Sequence, residues 1–267
     1  MASDAPVVVR RGRLPVHRFH LTAVAVFALC AAATLYFWRA MSASMPMPGG
    51  WQMSMAWMRM GSWLAATVMF CLMWLAMMVF MMLPSSVPVL MLVRRTAEFR
   101  GESHPEALSW TVAAGYFLAW SGFGLLAYAA GVGCAQAAMV SETFSRAVPW
   151  LTGAAVVIAG IYQFLPAKAA CLRHCRDPLL LVAHMRQGWR GALHLGLHHG
   201  AFCVGCCWAL MVIQLVLGVM SLPLMIVIAG VIAWEKLAAS STLPARVAGA
   251  VAVLAGAWIL TRAALAL

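Results

Sequence analysis

The sequence is short of acid. Of its 267 residues only seven are Asp or Glu, against eighteen Lys or Arg. Six of the seven, Asp4, Glu98, Glu102, Glu106, Glu142 and Asp177, fall in a tail or in loops by the hydropathy pattern, and Glu235 falls at a helix end beside Lys236. No carboxylate is therefore expected in the middle of a membrane span. That excludes a carboxylate proton relay and a hard-cation pathway, both of which depend on intramembrane acids. It also removes the paired acids of glycosidase-type hydrolysis. No Gly-rich phosphate loop and no serine-elbow motif is present. Charge of either sign is scarce, at 9% of residues, while 64% are hydrophobic. Soluble domains carry about 25% charge and about 45–50% apolar residues. One water-soluble core cannot bury that excess, so hydrocarbon must cover it.

The apolar residues are gathered in runs. A span needs roughly 20 consecutive apolar residues. Seven stretches qualify or nearly qualify: 19–38, 62–83, 108–130, 148–165, 201–220, 222–234 and 246–260. The fifth and sixth form either a hairpin, turning at Met220-Ser221-Leu222-Pro223, or one long broken helix. The expected fold class is thus all-α, a polytopic transmembrane helix bundle of six or seven spans. Residues 1–18 read as a basic cytoplasmic tail and 19–267 as a single transmembrane helical domain. The first run follows Arg10, Arg11, Arg13 and Arg18, like a signal peptide, but it is too long and lacks a small-residue cleavage pattern. Ala248, Ala252 and Gly256 fall four apart, a spacing that lets membrane helices approach closely.

Lys and Arg are distributed unevenly among the loops. With the N-terminus in the cytoplasm, fourteen lie on the inner side and four, Arg39, Arg59, Arg146 and Arg262, on the outer side. That is the positive-inside bias. It also accounts for the net charge of +11 as cytoplasmic anchoring, not as a nucleic-acid surface. The expected loops are a Met-rich outer loop at 39–61, a polar inner loop at 84–107, a short outer loop at 131–147 and an inner Arg/His/Cys segment at 166–200. Part of that last segment reads as an amphipathic helix lying on the inner membrane surface.

What the chain has in abundance is soft sulfur. Thirteen of its 20 Met lie between Met41 and Met82. Seven belong to the outer loop: Met41, Met45, Met47, Met53, Met55, Met58 and Met60. Thioether is a soft, neutral donor that suits Cu(I) and suits Mg²⁺, Ca²⁺ or Mn²⁺ poorly. The competing reading is flexible apolar filler, with Trp51, Trp57 and Trp63 as interfacial anchors. In the second span Met69, Met73, Met77 and Met81 step by four along one helix face, and Cys71, Met78 and Met82 mark another. This stripe is either a ligand path or packing.

The inner segment concentrates stronger donors. Cys171 and Cys175 stand four apart, with His174 between them. His194, His198 and His199 follow, then Cys203, Cys206 and Cys207. At about 100° per residue, His199, Cys203, Cys206 and Cys207 share a helical sector of about 100°. His194 and His198 lie on another face. Cys203 and Cys206 have a spacing fit for metal binding or dithiol exchange. The cytosol keeps thiols reduced, so a permanent disulfide is not expected there.

Three stretches resemble a bacterial family catalogued as predicted metal-binding integral membrane proteins, domain of unknown function 2182. They are Trp74-Leu-Ala-Met-Met-Val-Phe-Met-Met-Leu-Pro84-Ser85, the Tyr162–Cys175 segment with its Pro166, Lys168 and Cys171, and Gly200-Ala-Phe-Cys203-Val-Gly-Cys206-Cys207-Trp208. The resemblance implies a metal label without a reaction or substrate.

The combined expectation is an inner-membrane protein that binds or handles copper, without enzymatic chemistry. Its metal ligands would come from Cys171, His174, Cys175, His199, Cys203, Cys206 and Cys207, and from Met41, Met45, Met47, Met53, Met55, Met77, Met78 and Met81. Cu(I) is the expected ion, with Zn²⁺ the alternative at the Cys/His cluster. Expected partners are the bilayer and a metallochaperone or further membrane subunits, with no nucleic acid. The alternatives are a membrane thiol redox protein, which the inward-facing cysteines disfavour, a haem protein with paired axial His, and a non-catalytic subunit of a membrane complex.

Overall fold

The computed structural model describes residues 16–41, 43–58, 61–183, 185–238 and 242–265. Arg10, Arg11, Arg13, Arg59 and Met60 lie outside the described residues. The elements are helix α1 (Val16–Ala40), strands β1 (Ser44–Met47) and β2 (Trp51–Ser54), a 3-10 turn (Met55–Trp57), and helices α2 (Trp63–Phe99), α3 (Pro105–Val140), α4 (Glu142–Tyr162), α5 (Pro166–Arg176), α6 (Pro178–Ala183), α7 (Gly188–Gly218), α8 (Leu222–Leu237) and α9 (Thr242–Leu265).

The chain is an all-α bundle. Among the described residues, α1, α2, α3, α4, α7 and α9 are each long and apolar enough to cross a membrane. Their outward faces carry bare Leu64, Leu126, Ile158 and Leu254, each at least 60% exposed. Helix α8 has 16 residues, a rise of about 24 Å. It folds back along α7. Cys203 on α7 and Lys236 on α8 stand at nearly equal distances from the turn, and they touch at 3.1 Å. The two therefore form a hairpin and not one broken helix.

Several loops expected from sequence are helix. Helix α2 runs through Pro84 and Pro88 to Phe99, where a loop at 84–107 was expected. Each proline removes a backbone N–H, but buried neighbours and serine hydroxyls stabilise such a helix in a bundle. Ser85 and Ser86 donate to the Met82 carbonyl at 3.0 and 2.9 Å. The expected loop at 131–147 shrinks to Ser141, whose hydroxyl accepts from Phe144 N as the N-cap of α4. The 166–200 segment is α5, α6 and the first turns of α7. Its α5 part is amphipathic: Lys168, Leu172 and Cys175 are buried, while Ala167, Ala169, Ala170 and Arg173 are exposed.

Close helix contacts rest on glycine. On α4 and α9, Gly153 faces Gly256 and Gly160 faces Gly249, in an antiparallel seam. A Cβ on Gly160 would stand 2.8 Å from Val253 N and 3.0 Å from Gly249 O. The buried stripe of α9 is Ala245, Gly249, Ala252 and Gly256, with Ala248 half-buried beside it.

The Met-rich segment is ordered. Strands β1 and β2 pair with Met45 opposite Met53 and Met47 opposite Trp51. Because side chains alternate across a strand, Met45, Met47, Trp51 and Met53 share the more covered face, while Ser44, Pro46 and Gln52 occupy the exposed one. The hairpin is fastened to α4: Trp51 Nε1 donates to Ser145 O at 3.0 Å, and Ser145 Oγ donates to Pro48 O at 2.8 Å. Trp57 lies on Gly131 of α3 and against Phe70 of α2. This segment therefore gives several of its Met a packing role, as the apolar-filler reading anticipates, within a hairpin and not an open loop. Met53 is fully buried, and Met41, Met45, Met47, Met55 and Met58 are half-buried.

Candidate metal centre

Helix α7 brings Cys203, Cys206 and Cys207 to one buried face, as the helical sector predicts. Helix α5 adds Cys175. It is held there from both ends. Lys168, near its start, forms an ion pair with Glu235 of α8 at 2.5 Å and also donates to Gln163. Arg176, at its end, donates to the carbonyls of Glu235 at 3.0 Å and of Ala238, closing the C-terminus of α8. Both Lys168 and Glu235 are fully buried.

The thiols converge. Ligand atoms of Cys175, Cys203 and Cys206 all lie within 4.8 Å of one another. Cys206 Sγ is 3.8 Å from Cys175 Sγ and 3.3 Å from Cys207 Sγ. A disulfide requires about 2.05 Å, so none of these is bonded. A metal bound by three thiolates at about 2.3 Å separates the sulfurs by about 4 Å. The spacing across α5 and α7 is of that order.

A positive charge completes the centre. Lys236 Nζ lies 3.1 Å from Cys203 Sγ, 3.4 Å from Tyr116 Oη, 3.4 Å from Ser85 Oγ and 4.0 Å from Met82 Sδ. Among the described residues its ammonium has no carboxylate within ion-pair distance. Lys236 is only partly exposed, and a thiolate at Cys203 would give its charge a partner at 3.1 Å. Tyr116 Oη is also hydrogen-bonded to Cys203 Sγ at 2.9 Å. Sequence reasoning missed Lys236, Tyr116 and Ser85. Lys236 reads as a cytoplasmic anchor at the end of an apolar run, and only the fold-back of α8 turns it inward.

The other expected ligands are placed differently. Cys171 is half-buried, with its Sγ 2.9 Å from where a Cβ on Gly205 would stand, outside the converging group. His174 stacks on Phe202, with ring centroids 3.9 Å apart, and faces His198 at 5.1 Å. His199 is buried against Tyr116, ring to ring 5.4 Å. Met77, Met78 and Met81 are fully buried with Met73 and Met82, in one apolar cluster that also contains Cys175, Cys203, Cys206 and Cys207. Met69, the first member of the four-step stripe, faces outward at 44% exposure.

Fold and centre together describe an all-α bundle with six helices long and apolar enough to cross a membrane among the described residues, and a buried, sulfur-rich, carboxylate-poor site fit for a soft ion. A family model described as PpoB2, copper chaperone, matches residues 71–259, and the chain belongs to that family. The matched span contains α5, α7 and α8 and so every residue of the thiol centre. No match was found among curated proteins or among solved structures.

Proposed function

We propose that this protein is a copper carrier of the bacterial inner membrane, with its N-terminus in the cytoplasm, that holds Cu(I) between α5 and α7. Cys175, Cys203 and Cys206 are the ligands, and Cys207 stands within reach. The observation that carries this reading is the convergence of three buried sulfurs beside an ammonium. Three thiolates and Cu(I) leave an anionic complex, and the Lys236 charge offsets part of it. Copper is cargo here and undergoes no redox change.

The thioethers extend the reading. Met77, Met78 and Met81 belong to the same buried cluster as the thiols, and Met53 of β2 is fully buried. Met41, Met45, Met47 and Met55 would receive Cu(I) at the hairpin, and the α2 methionines would pass it inward. Thioethers favour Cu(I) over Zn²⁺, whereas thiolates accept both.

The test is Cu(I) binding by the purified full chain against a chromophoric chelator, under reducing conditions. Cys203→Ser and Cys206→Ser should each weaken binding at least tenfold, while Cys134→Ser should leave it unchanged. Equal affinity in all three variants would refute the thiol centre. A chain that binds Zn²⁺ stoichiometrically but not Cu(I) would refute copper as the cargo.

A further inference from the structure

A second group of donors lies outside the thiol centre. His194 and His198 stand four apart on α7, both exposed. That spacing puts two imidazoles on one helix face, as in helical zinc sites. His174 on α5 faces them. The centroids of His174 and His198 are 5.1 Å apart, and those of His194 and His198 are 6.4 Å apart. Three imidazoles bound to one tetrahedral metal at 2.0–2.1 Å have centroids separated by roughly 5 Å. The His174–His198 pair already has that spacing, and closing the other two pairs requires His194, whose side chain is exposed, to rotate toward both rings. Phe202 holds two of the rings: it stacks on His174 at 3.9 Å and meets His198 edge-on at 4.9 Å. An aromatic clamp of this kind reduces the rotamer freedom that metal binding would otherwise remove.

We propose that His174, His194 and His198 form a second metal site, open to the surroundings, that takes Cu(I) or Zn²⁺ through three imidazole nitrogens and leaves the fourth position for an incoming donor's ligand. The donor set is chemically distinct from the sealed centre. Imidazole is a borderline ligand that suits copper and zinc alike, and three neutral rings bind more weakly than three thiolates. His174 directly precedes Cys175 in α5, so the two sites share a helix. In the transfer, copper–nitrogen bonds break and copper–sulfur bonds form, copper stays Cu(I), and each ligand thiol that still carries a proton gives it to a vacated imidazole. This role as a port rests on the copper reading above; the histidine site itself does not.

Two measurements separate them. The first is Zn²⁺ titration of the full chain with Cys171, Cys175, Cys203, Cys206 and Cys207 changed to Ser. It should bind one equivalent, and His194→Ala/His198→Ala in that background should weaken binding at least tenfold. Should the serine variant fail to fold, the native chain preloaded with one equivalent of Cu(I) is titrated with Zn²⁺ instead. Binding unaffected by the histidine changes overturns the site. The second is the rate at which the native chain takes Cu(I) from a chelator complex. His194→Ala/His198→Ala, in which only exposed side chains change, should slow loading severalfold at unchanged final stoichiometry. An unchanged rate overturns the port. Histidine-dependent zinc binding in a chain that takes up no Cu(I) refutes the copper reading and leaves the histidine site standing.

Discussion

The buried pair Lys168–Glu235 ties α5 to α8, and removing one partner tests whether it positions Cys175. Both side chains are essentially inaccessible, with 1% and 0% exposure. Lys168→Met leaves Glu235 as a buried charge without its counter-ion. Breaking such a pair from one side costs about 3–5 kcal/mol. At about 1.4 kcal/mol per decade, that is a factor of roughly 10² to 10³ or more in the folded population. Glu235→Leu should cost about the same by stranding Lys168. The double variant Lys168→Met/Glu235→Leu removes both charges. It leaves Gln163 Oε1 without its Lys donor, at about 1–3 kcal/mol, so it should be more stable than either single variant. Reversible denaturant unfolding in detergent, followed by tryptophan fluorescence, measures all four corners of this cycle. Cu(I) affinity should follow the same order, since α5 carries Cys175. A double variant destabilised by the sum of the two singles would refute the pairing. A single variant that loses under 1 kcal/mol would show that the interior relaxes or hydrates around the stranded charge.

Three further outcomes are expected. Changing Met41, Met45, Met47, Met53, Met55, Met58 and Met60 together to Leu conserves volume and apolarity, so helicity and unfolding midpoint should change little; Cu(I) capture should fall, and a variant that captures as well as the native chain would show that the hairpin methionines only pack. Gly160→Ala forces a methyl against Val253 N and Gly249 O, and should cost about 1–3 kcal/mol in the same unfolding assay, while Gly133→Ala, where nothing lies within 4 Å, should cost little. A reporter fused at the C-terminus should be active only outside the cytoplasm; cytoplasmic activity would refute the return of α8 across the membrane.

The long helices and the cysteine face of α7 were legible because both follow from periodicity alone. The extent of α2 was not. Pro84, Pro88 and the arginines after them look like a loop until Ser85, Ser86 and packed neighbours are seen to support the helix. The hairpin was hidden because its alternation is written in Met, Pro and Ser, which have weak strand character. Cys175 could be proposed as a ligand from its neighbours in sequence, but only the clamp of Lys168 and Arg176 on α8 determines where α5 lies. Lys236 carried no signal at all. Its meaning comes from a turn some fifteen residues away.

The thiol centre is wholly enclosed, and one of its three converging sulfurs rides on an eleven-residue helix that crosses no membrane. Affinity and residence time are thereby uncoupled. The sulfurs set how strongly an ion is held at equilibrium. How long it stays would be set by how often α5 lifts from α7 and α8, since the sulfurs are inaccessible while that helix is in place. Local openings of this kind span orders of magnitude in rate with modest changes in contact energy. A change at Arg176 or Lys168, neither of them among the converging thiols, would then shorten the dwell of a bound ion without touching a single metal–sulfur bond. In such a vessel the lock is mechanical, and a receiving partner that pulls α5 aside needs no stronger ligands than the carrier's own.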